Sequence, residues 1–198
     1  MNVERGMMNI GILPAATLVM GGVLLAGSGV LAAEGPATVL DVQSDPAGGK
    51  KAVATLRIPA PPDAVRDVLN DFEHWPELFD GRFELVKLDR QDGRVVTDLR
   101  IKRTPLPGNM RLLCETRQVS DGEIVTSLIE GDFRHYLRRW RLVPEQNGAA
   151  VHTRAEMELS VDPDTWTPGW LFAAVLRSDL EAHFRILRER AVARFSGR

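Results

Sequence analysis

Ile58-Pro-Ala-Pro-Pro-Asp-Ala-Val-Arg-Asp-Val-Leu-Asn-Asp-Phe-Glu-His-Trp-Pro76 is the stretch whose reading decides the fold. Pro59, Pro61 and Pro62 have no amide proton and fix their own φ, so they stop an incoming strand and pre-set a first helical turn. Asp63 adds a carboxylate at the positive end of that helix. Trp75-Pro76, following Asp71-Phe72, forces a second break. The spacing predicts two short helices at an angle, Ala64 to Asn70 and Trp75 to Phe79.

Outward from this corner the pattern is that of strands. Upstream, Val39 to Gln43 can pair with Lys51 to Ile58 across Asp45-Pro46-Ala47-Gly48-Gly49, whose Pro and Gly suit a hairpin loop. Downstream, strands are expected at Phe83–Leu88, Val95–Arg103, Met110–Val119, Glu123–Ile129, Tyr136–Val143 and Ala149–Val161. Turn signals such as Asp92-Gly93, Pro105-Leu106-Pro107-Gly108 and Asp121-Gly122 separate them, which makes an antiparallel meander. Alternation marks the covered side. Val151, Thr153, Ala155, Met157, Leu159 and Val161 share one face of the last strand, while His152, Arg154, Glu156, Glu158 and Ser160 share the other. The apolar faces require a cover, because exposed strands of this kind aggregate.

The C-terminal segment supplies it. After Pro168-Gly169 neither residue type recurs up to Phe195, and Leu171, Val175, Leu176, Leu180, Phe184, Leu187 and Ala191 return at helical spacing. Charged residues fill the other sides, so one amphipathic helix of about 27 residues, roughly 40 Å long, can cross the whole sheet. Asp162-Pro163-Asp164-Thr165 provides the turn and cap before it.

The corner resembles the entrance of the START-like (SRPBCC) superfamily, whose polyketide cyclase and coenzyme Q-binding branches carry I-x-A-P-x-x-x-V-W-x-V-L-x-D-x-x-x-W/Y-P. Here Ile58, Ala60, Pro61, Val65, Val68, Leu69, Asp71, Trp75 and Pro76 match, and Arg66 stands where an aromatic is common. A second match is Trp140-Arg141-Leu142-Val143-Pro144-Glu145 with Asn147-Gly148 and Val151, similar to the W-x-L/F-x-P…G-T-x-V hairpin of these domains, with Ala149 where Thr is common. The resemblance covers about residues 39 to 195. It implies an α+β helix-grip fold: a curved antiparallel sheet of about seven strands around a long C-terminal helix, with two short helices after the first strand.

Residues 1–33 stand apart from the domain at 34–198. Arg5 is followed by an uncharged run from Ile10 to Leu31 and by small residues at Val30-Leu31-Ala32, the order of a secretory signal peptide. Export, most simply to a bacterial periplasm, is expected; the alternative is an inner-membrane anchor at residues 10–31. Formal net charge is -2, which gives no general attraction to nucleic acid. The single cysteine, Cys114, excludes an internal disulfide and reads as a small buried hydrophobe.

A bent sheet cannot touch a straight helix along its length, so a cavity is expected between them. Parity and spacing place Phe79, Leu99, Ile101, Leu112, Trp140, Met157, Trp170, Ala174 and Phe184 there as ligand-binding candidates, each of which is otherwise core. Trp75 reads as a packing anchor. Among polar residues, Arg103, Thr126 and Arg138 can face inward, with Glu130 on the parity of an internal partner for Arg138. The basic run Arg134, Arg138, Arg139 and Arg141 divides between both faces and reads as a solvated patch.

No nucleophile elbow, zinc-binding helix, phosphate loop or dinucleotide fingerprint occurs, and the four histidines fall on separate elements, so neither a metal site nor a cofactor is expected. The leading expectation is an exported domain that binds a hydrophobic small molecule of lipid, isoprenoid or quinone class, as carrier or chaperone, with transient membrane contact conceivable. Pro105–Gly108 and Trp166–Trp170 are the expected gates. The alternatives are a cyclase or aromatase-like enzyme using Tyr136 and Arg138, and a protein-interaction domain with a vestigial cavity.

Overall fold

The proline corner forms as its composition dictates. In the computed structural model, which describes residues 38–91, 93–103, 107–147 and 150–197, helix α1 spans Pro62–Leu69 with Pro61 as its extended N-cap residue and Asp63 in its first turn. The corner is tied to the sheet: the buried Thr153 hydroxyl donates to the Ala60 carbonyl at 2.6 Å. The helix stops at Asn70, a 3-10 turn follows at Phe72–His74, and α2 spans Trp75–Leu78. Trp75 Nε1–H donates back to the Leu69 carbonyl at 3.0 Å, which fixes the angle between the two helices. Arg66 extends away from the core and donates to the Asp121 carbonyl at 3.1 Å, so its charge finds a partner at a turn where an aromatic would need burial.

Eight strands form one antiparallel sheet: β1 Thr38–Ser44, β2 Lys50–Ile58, β3 Phe83–Gln91, β4 Arg94–Lys102, β5 Asn109–Ser120, β6 Glu123–Gly131, β7 Phe133–Asn147 and β8 Ala150–Pro163. Their order is β1-β2-β8-β7-β6-β5-β4-β3. The hairpin arm β1 is a full edge strand, which makes the sheet one strand wider than the expected seven. From β2 the chain passes through α1 and α2 to β3 at the opposite edge, then meanders back until β8 pairs with β2, Leu56 opposite Ala155. The expected signal or anchor segment at 1–33 lies outside the described residues. Among those residues no helix is long and apolar enough to cross a membrane.

The inner face is the one that alternation selects. Thr153, Ala155, Met157, Leu159 and Val161 of β8 are buried, as are Leu112, Cys114 and Thr116 of β5. Val151 departs from this expectation and is exposed, since β8 at that end runs beyond the cover. Alternation also breaks in β6, where a register shift leaves Leu113 opposite Glu130 but Cys114 opposite Leu128, with Ile129 bulged outward. The extra residue resets the parity. Glu130 therefore faces solvent and pairs with Arg111 at 3.2 Å, not with Arg138 as its parity with Thr126 implied.

Helix α3, Gly169–Ser196, closes the fold. It packs against α1, α2, β1 and β2 and stands further from the middle strands. Its buried stripe is Leu180, His183, Phe184, Leu187 and Ala191. The convex face of the sheet is wet and carries cross-strand ion pairs such as Arg111 with Asp98 and Arg139 with Glu123.

Candidate ligand cavity

Where α3 stands off from the curved sheet, a space of about 1050 Å³ remains, counting its open mouth. Three elements build most of its wall. Consecutive inward positions of β7 contribute Tyr136, Arg138 and Trp140, and β8 contributes Met157, Leu159 and Val161. The first half of α3 contributes Phe172, Val175, Leu176, Asp179 and His183. At one end three rings stack in line: Phe83 on Phe79 at 4.0 Å between centroids, and Phe79 on His183 at 4.4 Å.

The expected binding residues divide into three groups. Phe79, Ile101, Arg138, Trp140 and Met157 line the space, together with Tyr136 and Arg103. Leu99, Leu112, Thr126 and Phe184 face inward but are closed over: Leu99 and Leu112 are cross-strand partners in the core, Thr126 bonds Thr116 at 3.0 Å, and Phe184 packs edge-on against Trp140. Trp170 and Ala174 are on the wrong side, exposed to solvent. Four residues apart, they share a face of α3 turned about half a revolution from Phe172 and Leu176, off the stripe of Leu171, Val175, Leu176 and Leu180 that lines the space. Trp166 and Trp170 are 91% and 74% exposed, beside the lining residues Thr165, Thr167 and Leu171. Of the other expected gate, Pro105 and Leu106 lie outside the described residues.

His183, Asp179 and Phe83 were missed as site residues. His183 was legible: Leu176, Leu180, His183, Leu187 and Ala191 step by four, three, four and four, one continuous helical stripe.

The polar groups on this wall are few and specific. Arg138 is 6% exposed; its guanidinium lies 4.8 Å from the centre of the Trp75 ring, Nη2 makes a long contact of 3.5 Å to Thr126 Oγ1, and Nε has no partner. His183 shares its Nδ1 proton with the Leu78 carbonyl at 3.2 Å, which leaves Nε2 as a buried acceptor without a donor. Burial and the nearby Arg138 charge push its pKa down to about 3, so the ring is neutral. Trp140 Nε1–H is likewise buried and unpartnered. Burial lifts Asp179 to about 6, against the pull of Arg82, whose Nη1 lies 3.0 Å away. Burial also raises Tyr136, and it pushes Cys114 up to about 12, so that thiol stays protonated and inert. Among the described residues no group of three His, Cys, Asp or Glu side chains is placed to hold a metal ion.

Residues 58–186 match the family model described as polyketide cyclase / dehydrase and lipid transport. The chain belongs to this family. No curated protein matches the sequence, but solved structures do. The chain is similar to a STAR-related lipid transfer protein (fragment 25-204) from Xanthomonas axonopodis, at 15% identity over 80% of this chain and 95% of that one, TM-score 0.62. It is similar to TTHA0849 from Thermus thermophilus, at 23% identity over 72% and 97%, TM-score 0.58. It is also similar to the Zhui aromatase/cyclase from a Streptomyces species, at 14% identity over 73% and 94%, TM-score 0.55. At such identities the likeness is one of fold, the START-like helix grip. The polyketide cyclase / dehydrase and lipid transport family spans both carriers and enzymes, so its name leaves the chemistry of this cavity to the residues that line it.

Proposed function

We propose that this protein binds a hydrophobic small molecule, of lipid, isoprenoid or quinone class, between its sheet and α3, and acts as a carrier or chaperone for it. The observation that carries this reading is the cavity between the sheet and α3, walled mainly by aromatic and aliphatic side chains. Removing apolar ligand surface from water at ~25 cal/mol per Å² drives uptake, offset by the cost of association. The uncharged run Ile10–Leu31 supports a site of action after export. Trp166 and Trp170, exposed beside the mouth, are suited to touch a membrane surface during ligand exchange.

The test is uptake of a neutral apolar dye by the purified protein, with mass spectrometry of solvent extracts from detergent-free preparations. Val175 lines the cavity without belonging to the packed core, so Val175→Trp should fill the space and abolish dye uptake while the domain stays folded. Unchanged uptake in a folded Val175→Trp variant would remove the basis of the reading.

A cyclase-like enzyme comes second, favoured by Tyr136, Arg138 and His183 sharing one wall. A neutral imidazole whose pKa is pushed to about 3 is a weak base, however, and that ranks binding ahead of proton-transfer catalysis.

A further inference from the structure

The wall of this cavity contains a charge that the protein itself does not answer. Arg138 projects from the middle of β7 and is almost wholly buried, yet no carboxylate among the described residues stands within ion-pair distance of it. The titratable groups on which its charge acts are Cys114, Tyr136 and His183, all uncharged at neutral pH. The nearest acidic lining residue, Asp179, is turned to Arg82. Stacking on Trp75 offsets part of the cost of burying a guanidinium, and Thr126 adds one long contact, but Nε–H remains unspent. A second buried donor without an acceptor, Trp140 Nε1–H, lies two residues along the same strand face.

We infer that the ligand of this cavity is an amphiphile with a single carboxylate head, which lies against Arg138 while its hydrocarbon body occupies the apolar space under α3. This rests on the binding reading above and adds a ligand class to it. The carboxylate pairs with the Arg138 guanidinium, giving the buried cation its counter-charge and turning an unfavourable burial into a charge-assisted hydrogen bond. His183 does not oppose the anion or add to its attraction, since its ring is neutral and its free Nε2 is an acceptor. One buried cation also limits the head to one negative charge: a phosphate dianion would bring an excess charge into the site, and the other basic lining residues are Lys102, at the end of β4 with its Nζ already donating to the Gly81 carbonyl at 3.0 Å, and Arg103 just beyond that strand.

The experiment is displacement of bound Nile red, a neutral probe, by matched pairs of straight-chain ligands at pH 8: decanoic and dodecanoic acids against 1-decanol and 1-dodecanol, with dodecyl phosphate as a third arm. The acid should displace the probe about tenfold or more better than the alcohol of equal length, the worth of one charge-assisted hydrogen bond. In Arg138→Gln this preference should vanish, with cooperative thermal unfolding retained. Equal affinities of acid and alcohol in the wild type would overturn the inference while leaving the cavity reading intact, and that comparison needs no variant. Tighter binding of dodecyl phosphate than of dodecanoic acid would overturn the single-charge argument. Failure of the wild type to take up Nile red at all would instead remove the binding function on which the inference rests.

Discussion

Replacing His183 by Phe should flatten the acid side of the stability profile. The imidazole is 2% exposed, stacked on Phe79 and held neutral, with its pKa pushed from the usual 6.5 down to about 3 by burial and by Arg138. In the unfolded chain the same group titrates near its ordinary value, so between those limits the unfolded state binds a proton that the native state refuses. Its contribution to stability is therefore full above pH 6.5 and is lost as pH falls toward 3. Integrated between about pH 7 and pH 4, that loss is about 3 kcal/mol, with a slope approaching ~1.4 kcal/mol per pH unit. Phenylalanine keeps the ring stack and removes the titration. It also removes the proton shared with the Leu78 carbonyl, a cost of ~1 kcal/mol that does not vary with pH. Urea unfolding of both proteins at unit steps from about pH 7 to pH 4 supplies the difference curve, in which carboxylates common to both cancel. The wild type should be the more stable or equal at pH 7 and should lose its lead by about 3 kcal/mol at pH 4. Parallel curves would refute the reasoning, because they would mean that His183 protonates in the folded protein as easily as in water.

Asp179 gives the opposite sign. Its carboxyl is lifted from 3.8 to about 6, so the native state holds the proton more tightly than the unfolded chain, and its favourable contribution is full below pH 3.8 and lost as pH rises through 6. Relative to Asp179→Asn, the wild type should lose about 2 kcal/mol between pH 4 and pH 7, read by the same unfolding series; a difference independent of pH would contradict the burial argument. Gly131→Ala should destabilise by about 3 kcal/mol or more, since φ is +138° and a Cβ would meet the Arg111 carbonyl oxygen at 2.2 Å. Gly93→Ala, at φ +74° but with open space around the new methyl, should cost only about 1 kcal/mol, both variants being read by urea unfolding. Equal losses at the two sites would show that the bulge at the end of β6 relaxes.

The strand and helix boundaries were legible because each rests on local chemistry. Prolines at 59, 61 and 62 can only end a strand and open a helix, and α1 and α2 follow within a residue or two of the expected limits. Period-two alternation selected the buried face of β4, β5 and β8 because one side of each strand meets water along most of its length. Of the cavity, Phe79, Ile101, Arg138, Trp140 and Met157 could be found from parity, and Tyr136 followed from Arg138. The misses have equally specific causes. Glu130 fell on the wrong side because one bulged residue, Ile129, inverts the alternation without leaving a strong trace in composition. Trp170 and Ala174 fall one position before Leu171 and Val175, about 100° round the helix, so they lie off the stripe that the spacing itself marked. Leu99, Leu112 and Phe184 face inward as expected, yet whether an inward residue touches space or another side chain depends on curvature.

The sequence by itself determined the order of elements, the antiparallel meander, the inward face of its strands and the identity of the covering helix, since turn residues, alternation and helical periodicity act over a few positions. Only the tertiary structure decided what the inward residues do. The stand-off between α3 and the sheet arises from the bending of eight strands acting together, and it turns part of the core into a wall. The isolation of Arg138 is likewise a property of the fold. Its sequence neighbours include an acid of suitable parity, and a bulge between strands sends that acid to solvent, leaving a buried cation beside an apolar space.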